Sequence, residues 1–374
     1  MRIGVPKEIK NNENRVALTP EGAKVLVSAG HEVTIQTDAG LGSGFANVDY
    51  EHAGATLVSF IEAWAADLVL KVKEPLPEEY PLLQNQMLFT YLHLAGGDPI
   101  LADHLLERCT TAIAYESVED STSRLPLLAP MSAIAGNMAV SVGKYFLSRT
   151  YHGRGVLLGR ILGERHGKVA IIGDGVVGQH AAQQADGIGA HTCIMGRHPE
   201  RADEIAQTIS PSIRYVLSTP DLIAQELQTA DLVVGAVLQR GGRAPIVVTE
   251  AMVQSMQPGA VIVDVSIDQG GCVETAVPTS HANPIYSKYD VVHYCVTNMP
   301  GAYPRTATIM LTHVTLPYVL CLAQEGLAAL VADPGFAKGV NTFRGHFTCR
   351  AVAEALGRTE TYAPLSSLLP SSER

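Results

Sequence analysis

The chain has 374 residues, 47% hydrophobic and 17% charged, with 34 glycines, which suits a glycine-punctuated α/β protein of two ordinary domains better than one small core. A formal net charge of -10 with no basic run argues against a nucleic-acid or anionic-membrane surface. MRIGVPKEIK contains no apolar signal segment, and no apolar stretch is expected to approach the roughly 18 residues needed to span a bilayer. Six scattered cysteines (Cys109, Cys193, Cys272, Cys295, Cys321, Cys349) form no CxxC pair. They fit buried thiols in a reducing cytoplasm better than disulfides or a metal site.

Taken in chain order, MRIGVP, HEVTIQ, ADLVLKVK, QMLFTYLH and TTAIAY read as strands. Pro20 to Ala29 reads as a helix between the first two, with Thr19 as N-cap. Strands alternating with helices predict a parallel sheet covered by helices on its faces. A long helix is expected from about Ala133 to Leu147, its small residues allowing close packing, as the bridge into a second domain. That domain opens with HGKVAIIGDGVVGQHAA and continues with strands at HTCIMG, DLVVGAV, AVIVDVSI and DVVHYCV. NMPGAYPRTA then makes a turn, followed by a helix from about Ala307 to Gly326 and shorter helices to about Leu356. The tail SSLLPSSER reads as polar and disordered. The expected division is a discontinuous substrate domain, 1–127 plus 304–374, interrupted by a dinucleotide-binding domain, 128–303.

The glycine-rich turn carries the first chemical signal. Gly173, Gly175 and Gly178 follow a strand and open a helix at Val176-Val177. The first glycine serves the tight turn, the second the approach of a pyrophosphate, and the third close helix–strand packing. A strand-end acid normally follows on the second strand, where it accepts from the ribose hydroxyls and repels a 2'-phosphate. Here Gly196 and Arg197 stand in that place, with Arg201 one turn on. The two arginines are expected to bind a 2'-phosphate, so that NADP(H) is favoured over NAD(H); the alternative is that they are solvated and the ribose is held less tightly.

Four further positions fit a bland reading poorly as a set. Arg15 lies in a polar loop before a helix, Lys73 and His93 end apolar strands, and Asp268 follows the apolar run VIVDVSI. A cation pair clamps a carboxylate, a histidine exchanges a proton, and a carboxylate orients an amine or water. Taken singly, each reads better as a structural residue than as a functional one, and only the set points to a site.

The motifs GVPKEIKNNENRVALTP, LKVKEP, FTYLHLA, LLAPMSAIAG, DVSIDQGG and VTNMPGAYPRTAT together resemble those of the L-alanine dehydrogenase family. Its relatives include the NAD-binding subunit of nicotinamide transhydrogenase. The resemblance runs from Met1 to about Leu356. It implies two Rossmann-like domains with an active-site cleft between them, usually assembled as a homohexamer. It also implies reversible deamination of L-alanine to pyruvate and ammonium. Carried over, substrate contacts fall on Arg15 and Lys73, the acid/base role on His93 and the catalytic aspartate on Asp268. Cofactor contacts fall on Ser132, the glycine turn, Ser218, Val237, Leu238, Ile267, Val296, Asn298 and Met299. The sequence departs from the family at Gly196, at Val277 in place of an arginine, at Ala133 and Asn137 in place of Glu and Arg, and in GRILGERHGK. A reductase for another imine or 2-oxo acid, a transhydrogenase-type subunit and a nucleotide-sensing protein without turnover are the rival readings. The intact Lys73, His93 and Asp268 set argues against the last two.

Overall fold

The computed structural model describes residues 1–239 and 242–369. In chain order the first strands are β1 (Arg2–Val5), β2 (Glu32–Gln36), β3 (Thr56–Val58), β4 (Leu68–Leu70), β5 (Met87–Thr90) and β6 (Thr111–Ala114). The middle of the chain forms β7 (Gly159–Ile161), β8 (Glu164–His166), β9 (Lys168–Ile172), β10 (His191–Gly196) and β11 (Arg214–Leu217). It continues with β12 (Leu232–Gly235), β13 (Val261–Asp264), β14 (Ile285–Lys288) and β15 (Val291–Tyr294). Two short strands follow late in the chain, β16 (Val340–Phe343) and β17 (His346–Phe347). The residues pack as two compact units, Met1–Pro130 joined by the stretch from Tyr303 on, and Met131–Ala302.

The sheet of the first unit runs β17-β16-β6-β5-β4-β1-β2-β3. Its six N-terminal strands are parallel and doubly wound, with the winding reversing between β1 and β4. The helix Pro20–Ser28 starts where the sequence places it, because Thr19 accepts the Gly22 N–H at 3.1 Å. The helical reading to Leu356 is corrected by β16 and β17, which extend the sheet, β16 antiparallel to β6 and β17 antiparallel to β16. Arg344 and Gly345 between them both have positive φ, 48° and 77°, the backbone of a tight hairpin turn.

The transmembrane expectation also needs correction. The 22-residue helix Pro304–Glu325 is long and apolar enough to cross a bilayer by composition. Its buried Ala307, Thr308, Leu311, Thr315, Val319 and Leu322 instead pack within the first unit. Thr308 Oγ1 accepts from the Val16 N–H at 3.1 Å and pairs with Ser43 at 2.8 Å, as a core helix does. The C-terminal segment is helical over Leu365–Leu368, so the disordered reading does not hold there, and residues 370–374 lie outside the described residues.

The second unit has the sheet order β11-β10-β9-β12-β13-β15-β14, parallel except for the edge strand β14, which the sequence reading did not include. Alternate residues serve opposite faces: Val169, Ile171 and Ile194 in one core, Ala170, Ile172 and Met195 in the other. The helix Ala129–Phe146 begins four residues before its expected start. Its small residues do permit close approach, a Cβ on Gly143 lying 2.4 Å from Leu232 and one on Gly136 2.3 Å from the Val177 carbonyl. Cysteines are unpaired, with Cys193, Cys272 and Cys295 buried, but Cys321 is exposed. Among the described residues no cluster of His, Cys, Asp and Glu is placed to hold a metal ion.

Candidate active site

In the first unit the singled-out residues gather past the carboxyl ends of β1, β4 and β5, beside the reversal of winding where open α/β sheets bind ligands. The strands are shorter than expected. β4 stops at Leu70 and β5 at Thr90, so Lys73 and His93 stand three residues beyond them in loops.

Arg15 is 2% exposed and its guanidinium is gripped on one edge by Glu13, with Nε donating to Oε1 at 2.7 Å and Nη2 to Oε2 at 2.6 Å. Burial works against the charge, but the Glu13 carboxylate outweighs it and holds the arginine protonated above its ordinary value. The fork geometry fixes the guanidinium plane.

Lys73 is positioned through its backbone. Its N–H donates to Glu8 Oε1 at 3.4 Å and its carbonyl accepts from Thr90 Oγ1 at 2.9 Å, while the residue is 8% exposed. Glu8 also accepts from the Val72 N–H at 2.6 Å and from Lys71 Nζ at 3.1 Å. Lys71, fully buried, shares its ammonium with Glu79 at 2.8 Å. One cation thus serves two buried carboxylates. Burial disfavours the Lys71 charge, yet Glu8 and Glu79 prevail and hold it protonated. Burial, with Glu79 as a second anion, pushes the Glu8 carboxyl up.

His93 has φ 49°, a left-handed backbone that few non-glycine residues adopt and that recurs at functional positions. The Glu116 carboxylate holds it by accepting the His93 N–H at 2.6 Å and the Leu92 N–H at 3.2 Å. Its ring lies parallel to Tyr91 at 5.8 Å, with Nδ1 3.8 Å from Glu116, and stays 45% exposed. Glu8, Glu13, Lys71 and Glu116 were not read from the sequence. A charged residue inside an apolar run, as Lys71 is, was the available signal.

In the second unit the expected cofactor contacts lie at or just past carboxyl ends of strands, apart from Ser132 on the helix Ala129–Phe146 and Arg201 at the start of the helix Arg201–Thr208. The glycine turn has the three properties a dinucleotide needs. Gly173 has φ 112°, and a Cβ there would lie 2.2 Å from the Ala236 carbonyl. A Cβ on Gly178 would lie 1.8 Å from the Gly173 carbonyl, whereas Gly175 meets nothing within 4 Å and leaves backbone open to a ligand. The helix Val176–Gly187 starts at Gly175 without a side-chain cap, so its first N–H groups suit a pyrophosphate. The residues present fit the group.

Ser266 ties the loops after β12 and β13, accepting the Val237 N–H at 3.0 Å and donating to its carbonyl at 2.7 Å. The expected strand through Ile267 ends at Asp264. Asp264 accepts the N–H groups of Ser266, Cys272 and Val273, turning the chain into a short 3-10 helix that carries Ile267 and Asp268. Asp268 is exposed and accepts the Asn298 N–H at 3.1 Å. Asn298 has φ 56°, and Met299 beside it is buried with Val296. Leu238 is exposed, and Ser218 donates its N–H to the Gly196 carbonyl at 2.8 Å.

Arg197 is exposed. Arg201, expected either to bind a phosphate or to be solvated, is engaged by neighbouring acids. Its Nη1 donates to the Asp174 carbonyl at 2.8 Å and lies 3.3 Å from Asp174 Oδ2, and its Nε lies 3.3 Å from Glu204. The reason is Asp174 itself, whose carboxylate supplies a nearby anion.

Two family models cover nearly the whole chain: the Alanine dehydrogenase/PNT N-terminal domain over residues 4–135 and the C-terminal domain over 139–350. The chain belongs to the alanine dehydrogenase/PNT family. It is 51% identical over 361 residues to alanine dehydrogenase of Bacillus subtilis, covering 96% of this chain and 95% of that one. It is 48% identical over 374 residues to the enzyme of Geobacillus stearothermophilus, covering 99% and 100%. A solved L-alanine dehydrogenase matches with TM-score 0.91 at 50% identity, covering 96% of this chain and all of that one. A transhydrogenase from Sinorhizobium meliloti shares the fold, with TM-score 0.79 at 24% identity over 93% of this chain and 98% of that one. Membership of the alanine dehydrogenase/PNT family implies a nicotinamide cofactor.

Proposed function

We propose that the protein is an NAD(H)-dependent alanine dehydrogenase, interconverting L-alanine with pyruvate and ammonium. The observation that carries this reading is the set Arg15, Lys73 and His93 past the ends of β1, β4 and β5, in a chain half identical to alanine dehydrogenases along its length. In the reductive direction Arg15 binds the carboxylate of the oxo acid and Lys73 polarises its carbonyl oxygen. His93 gives and takes protons as ammonia adds and water leaves through the carbinolamine. Asp268 binds the amine or the departing water. The dinucleotide supplies hydride when bound, held by the turn Gly173–Gly178 with Ser132, Ser218, Val237, Leu238, Ile267, Val296, Asn298 and Met299. The enzyme acts in the cytoplasm as a homo-oligomer, a hexamer by resemblance.

The choice between NAD(H) and NADP(H) turns on Gly196, Arg197 and Arg201. With Arg201 paired to Asp174, one of the two cations behind the NADP(H) expectation is already engaged. NAD(H) is therefore the better-supported partner, with Arg197 the remaining argument for NADP(H).

The test is the initial rate of NADH oxidation by the purified protein across several 2-oxo acids, with and without ammonium, in wild type and His93→Ala. Turnover should require ammonium and be fastest with pyruvate. His93→Ala should lower kcat by about 10²–10⁴-fold while leaving the NADH dissociation constant in place. Turnover without ammonium, or a His93→Ala variant with near-normal kcat, overturns the assignment.

A further inference from the structure

The acid missing from the end of β10 has a substitute. A Cβ on Gly196 would lie 2.3 Å from Asp174 Oδ2, 2.5 Å from Asp174 Cγ and 2.2 Å from the Tyr215 hydroxyl. The volume that a residue-196 side chain would fill is therefore occupied by the Asp174 carboxylate. The sheet explains how. β9 and β10 are adjacent, Met195 pairing with Ile172 and the Gly173 N–H reaching the Met195 carbonyl at 2.8 Å, so the turn and the strand end share one corner. An acid serving this corner can enter from either segment.

The carboxylate is held there. Tyr215 on β11 lies 3.0 Å from Asp174 Oδ2 and 2.8 Å from the His198 carbonyl, its one proton shared between them, and it accepts the His198 N–H at 3.3 Å. Burial, aided by Asp174, pushes the phenol up to about 12, so it remains a donor at neutral pH. Arg201 approaches the same Oδ2 at 3.3 Å, and the Asp174 side chain is 15% exposed. Gly196, Asp174 and Tyr215 are thus mutually dependent: no side chain at 196 is compatible with the other two as they stand.

Resting on the reading of Gly173–Gly178 as the dinucleotide turn, we propose that Asp174 is the specificity-determining acid for the adenosine ribose, moved from the strand end into the glycine turn. Its carboxylate accepts from the ribose hydroxyls and repels a 2'-phosphate. Arg201 and Tyr215 set its position. Arg201 serves the carboxylate here rather than a phosphate.

The test is equilibrium binding, by calorimetry, of NADH, NADPH, ADP-ribose and 2'-phospho-ADP-ribose to wild type and Asp174→Asn. A third protein, Asp174→Gly/Gly196→Asp/Tyr215→Phe, returns the acid to the strand end and clears the volume around it. Wild type should bind the unphosphorylated ligands at least about tenfold more tightly, and Asp174→Asn should lower that ratio by about tenfold, both estimated from a charge-assisted hydrogen bond. The triple variant should restore it, a result that a loss of folding in Asp174→Asn would not produce. Equal or tighter binding of the 2'-phosphates by wild type, or an unchanged ratio in Asp174→Asn, overturns the proposal. If none of the four ligands bound wild type, the dinucleotide reading itself would fall, and this inference with it.

Discussion

At the scale of single residues, the catalytic candidates are set by carboxylates that do not themselves react. Glu13 fixes the plane of Arg15, Glu8 fixes the chain at Lys73, and Glu116 fixes it at His93. Arg15→Lys keeps the charge but loses the fork, so it gives up both the Glu13 grip and bidentate recognition of a substrate carboxylate. The KM for the oxo acid should rise by about tenfold or more while the NADH dissociation constant stays put. A KM unchanged in Arg15→Lys would remove Arg15 from the substrate site. Lys73, His93 and Asp268 stand out in the sequence as charge at or just past an apolar run, whereas Arg15, in a polar loop, is singled out by the motif NNENRVALTP. Their supports do not stand out. Glu8 lies 63 residues from Lys71, and Glu116 lies 23 from His93, separations across which only the folded sheet brings partners together.

Among the elements, alternation of apolar runs with turns gave both parallel sheets. It failed where a side chain overrode propensity. VIVDVSI is β-branched and apolar, yet the Asp264 carboxylate draws in three backbone N–H groups and stops the strand four residues before Asp268. β16 and β17 leave little mark on the sequence, because their strands are short and their turn is Arg344-Gly345 rather than a stronger hairpin signal. The contacts of the glycine turn permit a sharp expectation. Gly178→Ala forces a Cβ against the Gly173 carbonyl, an overlap of backbone that no rotamer relieves. It should destabilise the protein by about 1–3 kcal/mol and weaken ADP-ribose binding, both read by thermal unfolding with and without ligand. A variant with wild-type melting and affinity would mean the turn is laxer than its geometry.

For the molecule as a whole, buried histidines give stability a predictable pH dependence. His293 is fully buried, with Nδ1 donating to the Val291 carbonyl at 2.9 Å and Nε2 accepting from Thr275 Oγ1 at 2.8 Å. Burial lowers its pKa below 6.5, as it does for His180 and His31. The unfolded chain then takes up a proton before the folded one does. Stability from these groups is complete above about pH 7 and declines as pH falls through 6.5 toward the folded values. Urea unfolding of wild type and His293→Gln between pH 7.5 and 5 should show a shallower decline in the variant, the difference in slope being at most about 1.4 kcal/mol per pH unit. Parallel curves would show that His293 is not a source of the dependence.

The antiparallel seat of β16 on β6 has a consequence for synthesis. On a ribosome, Thr111–Ala114 emerges as the edge of a parallel sheet whose covering strand, Val340–Phe343, does not yet exist. At roughly 5–20 residues per second, on the order of tens of seconds separate the two. Over that interval the intervening unit can complete its own sheet, while the nascent first unit presents four apolar-rich residues with unpaired N–H and carbonyl groups. An unpaired edge invites pairing with other chains. β6 is therefore the edge left open during synthesis, and the first unit to be translated is the last to be finished.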